Sequence, residues 1–302
     1  LRELQEMTRP GDTVLTIGTG LTAIDVALTL TAQGRHVVAV SRRGLLPRAH
    51  RLPLSQAIPL QLPPGDAPLT AAAVERLVRR HVEQAVGQGL DWRAAVDGVR
   101  PMTGTLWRRL PIAERRALLY DLSRRWEVLR HRMAPQVADA VRRMTHDRKF
   151  TVVGGELIAA VGEERRWRVT IRRDGIVEQL PVAAVVNCTG PTCDIERYPG
   201  GLGRRLVDLG LVVADPLQLG IRTTDAGAVV DATGRADGRI TAIGPLRRGS
   251  LYESTAVPEL RGQAADIADG LARLLAQDAP PLPYPHGAPS RSWAATGQRL
   301  PR

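Results

Sequence analysis

The stretch from Val14 to Val40 constrains this chain more than any other. Val14-Leu15-Thr16-Ile17 is a short apolar run of the kind buried as a strand, and it passes directly into Gly18-Thr19-Gly20. An apolar helix is predicted over 21–33, Gly34 closes it, and His36-Val37-Val38-Ala39-Val40 reads as a second strand. Strand, glycine turn, helix and strand within about thirty residues make half of a parallel α/β nucleotide-binding unit. Gly18-Thr19-Gly20-Leu21-Thr22-Ala23 has the form G-x-G-x-x-A. The first glycine permits the tight turn, the second lets the backbone approach a pyrophosphate, and Ala23 allows close packing of helix on strand. The helix start presents free amides to the anion. The plainer alternative is a glycine turn that merely joins a strand to a helix.

The end of the second strand speaks to which dinucleotide would bind. An NAD site usually places a carboxylate there for the ribose hydroxyls, whereas this chain has Ser41-Arg42-Arg43. A hydroxyl and two guanidinium groups suit a 2′-phosphate, so NADP(H) is favoured over NAD. Both arginines cannot easily reach one phosphate, which leaves one of them to face solvent.

Composition narrows the remaining classes. The 302 residues are 43% hydrophobic and only 3% aromatic, so the core must be built from Leu, Val, Ala and Ile. Two cysteines make no disulfide framework, and neither a signal-like N-terminus nor a membrane-length apolar run is present. A soluble, cytoplasmic chain is expected, with no membrane partner and no metal site. The net charge of +11 comes almost entirely from arginine, Lys149 being the one lysine. These arginines are spread along the chain and lack interleaved aromatics, which argues against a nucleic-acid partner and for a solvated surface or acidic ligands such as phosphates.

Five segments are expected. Residues 1–69 begin the NADP-binding domain and end in a proline-rich irregular stretch over 44–70. Residues 70–148 form a helical subdomain, marked by the stripes Val74, Leu77, Val78, His81, Val82 and Leu119, Leu122, Trp126, Leu129, Met133. Strands return over 149–204, where Trp167 to Ile171 alternates and turns at Asp174-Gly175, and Ala183-Ala184-Val185-Val186 leads to Asn187-Cys188-Thr189-Gly190. Residues 205–278 include a short core strand over 240–244 and a helix with Val257, Leu260, Ala264, Ile267, Ala268 and Leu271 inward. The Pro-, Gly- and Arg-rich tail over 279–302 is expected to be disordered.

Other candidate chemistry is weaker. Cys188 and Cys193 have the spacing of a redox dithiol, but Cys188 ends a strand and Gly190-Pro191 breaks any helix, which favours a buried small hydrophobe. His131, between Arg130 and Arg132, reads as a helix-surface residue. No P-loop, H-E-x-x-H or G-x-S-x-G motif occurs.

Several of these motifs, in the same order, resemble the bacterial two-dinucleotide flavoproteins that bind FAD and NAD(P)H, distantly similar to flavin monooxygenases and amine N-hydroxylases. The resemblance runs over roughly residues 10–275. It rests on Gly18 to Asp25, Ser41 to His50, Asp91-Trp92-Arg93, Leu106-Trp107, Trp126 to Arg132, Asn187 to Pro191, and Ile243-Gly244-Pro245 through Glu259. It implies a Rossmann-like three-layer α/β domain with a helical insertion and a partial FAD domain. It further implies an NADPH-dependent flavin oxidoreductase acting on a small-molecule substrate. Thr189 and Gly190 would return the chain toward FAD, Gly244 and Pro245 would lie near the flavin, and Thr255, Ala256 and Val257 would approach its ring. That family opens with its own FAD fingerprint, and this sequence begins only some seventeen residues before Gly18. The chain alone is therefore expected to be an incomplete flavoenzyme, with FAD held weakly, or with the missing FAD region supplied by a homo-oligomer or a partner chain. A non-catalytic NADP(H)-binding or docking module, and an arginine-rich interaction module, are the alternatives.

Overall fold

The computed structural model describes residues 2–164, 166–197, 201–236 and 238–278. The tail over 279–302 lies outside the described residues. A short helix α1 (Arg2–Met7) leads into β1 (Thr13–Ile17), α2 (Leu21–Ala32) and β2 (His36–Ser41). After the irregular stretch come α3 (Ala71–Gly87), α4 (Trp92–Val99), α5 (Thr103–Arg108), α6 (Ile112–Ala117), a π turn (Leu118–Leu122), α7 (Ser123–Arg130) and α8 (Pro135–His146). Five strands follow: β3 (Phe150–Gly154), β4 (Glu156–Glu163), β5 (Arg166–Arg173), β6 (Ile176–Val182) and β7 (Ala184–Asn187). The chain then runs through α9 (Leu202–Asp208), α10 (Arg248–Leu251) and α11 (Val257–Asp278).

The four strands β3-β2-β1-β7 form a parallel sheet in that order, and β4-β5-β6 form an antiparallel meander. Strand residues alternate between the two faces, and both faces are covered, which explains the unbroken apolar runs in the sequence. Val14, Val37, Ala39, Phe150 and Ala184 meet α2 and α8. Leu15, Val40 and Val185 face the meander through Val169, Ile171 and Val182. The result is the three-layer α/β arrangement expected from sequence. α8 lies on the sheet through Ala138, Val141 and Met144, so the last helix of the stretch 70–148 packs with the sheet rather than with the other helices.

Those other helices have a core of their own around Trp107, which also joins them to the C-terminal segment: its indole N–H donates to Gly249 O at 2.7 Å. Thr70 caps α3 by accepting from Ala73 N, and Asp91 caps α4 by accepting from Arg93 N. A bidentate pair from Arg100 to Glu259, at 2.6 Å on both arms, ties the helices to α11. The Arg100 guanidinium holds the Glu259 carboxyl below its ordinary range. A depressed carboxyl stabilises the fold fully above its ordinary value of 4.5 and ceases to do so as pH falls through the lowered value. Glu259→Gln should therefore cost about 1 kcal/mol at pH 7 and progressively less in acid, as read from urea midpoints at both ends.

Two expectations for residues 205–278 change. The run 240–244 is no core strand: it makes one isolated pairing, Thr241 with Ala228, while Ile240 and Ile243 are exposed. The one buried side chain there is Ala242, in a small cluster with Val212, Ile221 and Val229, while Gly244 is buried as the start of a 3-10 turn, and a run this short does not reveal by itself whether a sheet receives it. On α11, Leu260 and Ile267 are partly covered, but Val257, Ala264, Ala268 and Leu271 are exposed, and the buried residue is Gln263. An apolar periodicity predicts a helix, not the neighbour that would cover it.

Candidate functional site

The loops at the carboxyl ends of β1, β2 and β3 enclose a cleft of about 650 Å³. Parallel α/β sheets place ligands at this end because the helix N-termini and connecting loops converge there. Gly18, at φ +106°, turns the chain out of β1, and a Cβ there would lie 2.8 Å from Cys188 O. Only glycine suits that position. Gly20 differs, since its backbone is extended and a Cβ would meet nothing closer than the Arg124 guanidinium at 3.9 Å. Its Cα therefore faces open cleft, at the N-terminus of α2, where no side chain caps the helix. Free amides at the start of a twelve-residue helix make this an anion-binding position.

Thr19 and Ser41 fix the two loops to each other. Their hydroxyls lie 2.9 Å apart, Thr19 Oγ1 donates to Leu45 O, and Ser41 Oγ accepts from Gly44 N. Ser41 is thus committed to the loop. Arg42 is exposed, lines the cleft, and makes no hydrogen bond or ion pair among the described residues. Arg43 also lines it but donates to Tyr120 O at 2.9 Å and Asp121 O at 2.7 Å, clamping the π turn. One arginine is available to a ligand, and the other holds the wall.

The cleft gathers Gly18, Thr19, Gly20, Ser41, Arg42, Arg43 and Thr189. Leu21 and Thr22 are exposed on the first turn of α2, Ala23 is buried against the sheet, and Gly190 is exposed beyond Thr189. Cys188 lies at the cleft floor as a free thiol, its ionisation pushed up by burial, and Cys193 is also free. Gly244, Pro245, Thr255, Ala256 and Val257 line neither this cleft nor the apolar cavity of the helical unit. The Gly244 amide donates to Gln263 Oε1 at 2.9 Å, and Pro245 has no N–H, so that turn has no free amide at either position to offer a flavin. His131 ends α7 and lines neither cavity.

Sequence reasoning missed the opposite wall, made by Leu119, Tyr120, Ser123, Arg124 and Glu127. Arg124 pairs with Glu127 at 3.0 Å and reaches Thr19 Oγ1 at 3.4 Å, which puts a guanidinium over the glycine turn. These residues are about a hundred positions from the turn, and their helical stripe reads only as core. Gly154-Gly155, at the end of β3, was the available signal: Gly154 approaches Gly44, and Gly155 enters the cleft.

No helix among the described residues is long and apolar enough to cross a membrane, and no group of metal-ligating side chains is found among them. No family model and no curated protein matches the chain. Among solved structures it is similar to the reduced form of ornithine hydroxylase from Pseudomonas aeruginosa, at 16% identity and TM-score 0.51, covering 87% of this chain and 53% of that one. It is similar to L-lysine 6-monooxygenase from Pseudomonas syringae at 18% identity and TM-score 0.51, covering 90% and 56% respectively. The ornithine N-hydroxylase of Kutzneria sp. 744, in a structure with reduced FAD, NADP+ and L-ornithine, gives 15% identity and TM-score 0.50, with 90% and 55% covered. The chain spans about half the length of these structures. At such identities the likeness concerns the fold alone, a Rossmann-like α/β fold.

Proposed function

We propose that this chain binds NADP(H) in the cleft at the carboxyl end of its parallel sheet and serves an FAD- and NADP-dependent oxidoreductase of the monooxygenase type. The observation that carries the reading is the convergence of three elements on one space: the Gly18-Thr19-Gly20 turn, the Arg42 side chain at the end of β2, and Arg124 over the turn. The residues fit a dinucleotide phosphate. Gly20 leaves room for the pyrophosphate, the start of α2 presents amides to it, and Arg124 would neutralise its charge. Arg42 would meet the 2′-phosphate, the β2 end itself carrying no carboxylate and Glu156, which also lines the cleft, being paired with Arg172. Bound NADPH supplies hydride, and the protein's part is to hold the dinucleotide and orient it.

A flavin is proposed only from the likeness of fold. Of the residues first matched to it, Gly244 gives its amide to Gln263 and Pro245 has none to give, so no flavin-dependent step is assigned to that turn. A non-catalytic NADP(H)-binding module remains the second reading, favoured by the same observation. An arginine-rich interaction module would need no cleft beside the glycine turn, and a cleft is there.

Calorimetric titration with NADP+ and NAD+ tests the reading. Arg42→Ala should weaken NADP+ by about 1–3 kcal/mol and leave NAD+ nearly unchanged. Arg43→Ala should weaken both about equally, because it frees the carbonyls of Tyr120 and Asp121 rather than a phosphate. Wild-type protein that binds neither nucleotide would refute the proposal. Equal losses for both nucleotides in Arg42→Ala would remove the 2′-phosphate assignment.

A further inference from the structure

The π turn has two sides, and the nucleotide cleft uses only one. Leu119 and Tyr120 face the cleft, whereas Leu118 and Leu122 face a second, half-enclosed cavity of about 340 Å³ inside the helical unit. The turn is a genuine irregularity: Ser123 N–H donates to Leu118 O, five residues back, and Ser123 Oγ takes up Leu119 O at 2.6 Å. Single π turns inside helices recur at functional sites because the extra residue re-aims the side chains on either side. Here it directs leucines into two separate spaces.

The second cavity is built of apolar groups from α3, α4, α5 and α7, with Val78, Leu106, Trp107, Trp126 and Leu129 among its walls. Its volume falls at the small end of ligand sites, which run from roughly 300 to 1,000 Å³. Two acidic residues, Glu75 and Glu83, and two basic ones, Arg79 and Arg125, border it, so the charges balance. A site bordered this way selects no net charge.

Tyr252 closes one side, and its backbone is strained. With φ 64° and ψ −65° it is the centre of a γ-turn of the rare positive-φ hand, closed by Glu253 N donating to Leu251 O at 2.8 Å. Such a conformation is unfavourable in a non-glycine residue and persists only where its surroundings hold it. The ring of Trp107 stacks on that of Tyr252 with centroids 4.8 Å apart and an interplanar angle of 27°. The strain holds a phenol in the wall of an otherwise apolar cavity. Its hydroxyl makes no hydrogen bond among the described residues, and burial pushes its ionisation above the ordinary phenol range, so it stays neutral. An unpartnered hydroxyl beside apolar walls, on a ring that carries the Arg248 guanidinium at 5.9 Å, is a polar point that can orient a ligand.

From these observations we infer that the cavity binds a neutral, largely apolar small molecule of about one or two fused rings, with one hydrogen-bonding group directed at Tyr252. This goes beyond the nucleotide reading and does not depend on it.

The test is calorimetric titration of the full chain with three probes: 1-naphthol, naphthalene and naphthalene-2-sulfonate. Saturable one-to-one binding of 1-naphthol is expected, with naphthalene weaker and the anion weakest. In Tyr252→Phe, 1-naphthol should weaken about tenfold while naphthalene is unchanged, a pattern that a general loosening of the helices would not give. Leu122→Phe should shrink the cavity and weaken both neutral probes at least tenfold. Val78→Phe narrows it from the opposite wall and decides the matter if Leu122→Phe does not fold, as judged by thermal unfolding. The inference fails if wild type binds no neutral probe saturably, if the anion binds tightest, or if Tyr252→Phe binds both neutral probes as wild type does.

Discussion

Gly98→Ala is expected to destabilise the fold by about 2–3 kcal/mol, although alanine is the better helix former. In the interior of α4 the propensity difference alone would favour alanine by about 1 kcal/mol. A Cβ at Gly98, however, would lie 1.6 Å from Ile58 O and 2.4 Å from Ile58 C. Backbone cannot swing aside as a flexible side chain can, so the segment around Ile58 must move. That segment is pinned by Ile58 N to Ala94 O at 3.0 Å, Leu60 N to Gly98 O at 3.3 Å, and the imidazole of His81 at Ile58 O. Moving it also lifts Leu60 out of the core around Trp107. Urea unfolding should show a clear fall in midpoint with little change in slope. Gly87→Ala, at the end of α3 where nothing lies within 4 Å, is the control and should be neutral or slightly stabilising. Equal midpoints for the two variants would mean that residues 58–60 yield freely.

The two glycines of the turn should separate binding from folding. Gly20→Val should reduce NADP(H) affinity by a hundredfold or more while the protein stays folded, because the branched side chain enters the cleft and meets no protein backbone. It blocks the approach of a pyrophosphate to the amides of α2, an interaction made of charge-assisted hydrogen bonds. Gly18→Ala should instead lower stability by about 1–3 kcal/mol, since both the positive φ and the contact with Cys188 O oppose it. Nucleotide titration and thermal unfolding on both variants give the comparison. Unchanged nucleotide affinity in folded Gly20→Val would show that the cleft does not hold a pyrophosphate at this turn.

These expectations differ in how early they could be seen. The role of Gly18 and Gly20 follows from the G-x-G-x-x-A pattern between a strand and a helix, and the structure adds which of the two is steric. Arg42 and Arg43 look equivalent as neighbours in sequence. Their division of labour depends on carbonyls of Tyr120 and Asp121, nearly eighty residues away, which the turn of the helix happens to present. Arg124 had no local mark of function at all.

Local chemistry in the sequence determined the elements that carry their own signals. The apolar runs bounded by Gly18 and Gly34 are strands and a helix, and alternation from Trp167 to Ile171, with a turn at Asp174-Gly175, is a hairpin. Tertiary structure alone decided which face of each periodic segment found a neighbour. α8 met the sheet, while α11 kept Val257 and Leu271 exposed. It also decided that the π turn contributes to two cavities, Leu118 and Leu122 lining one and Leu119 and Tyr120 the other. The physical reason is that periodicity and turn propensity are properties of neighbouring residues. Burial, pairing and cavity walls are set by whichever distant segment comes into contact, and that is fixed only when the whole chain packs.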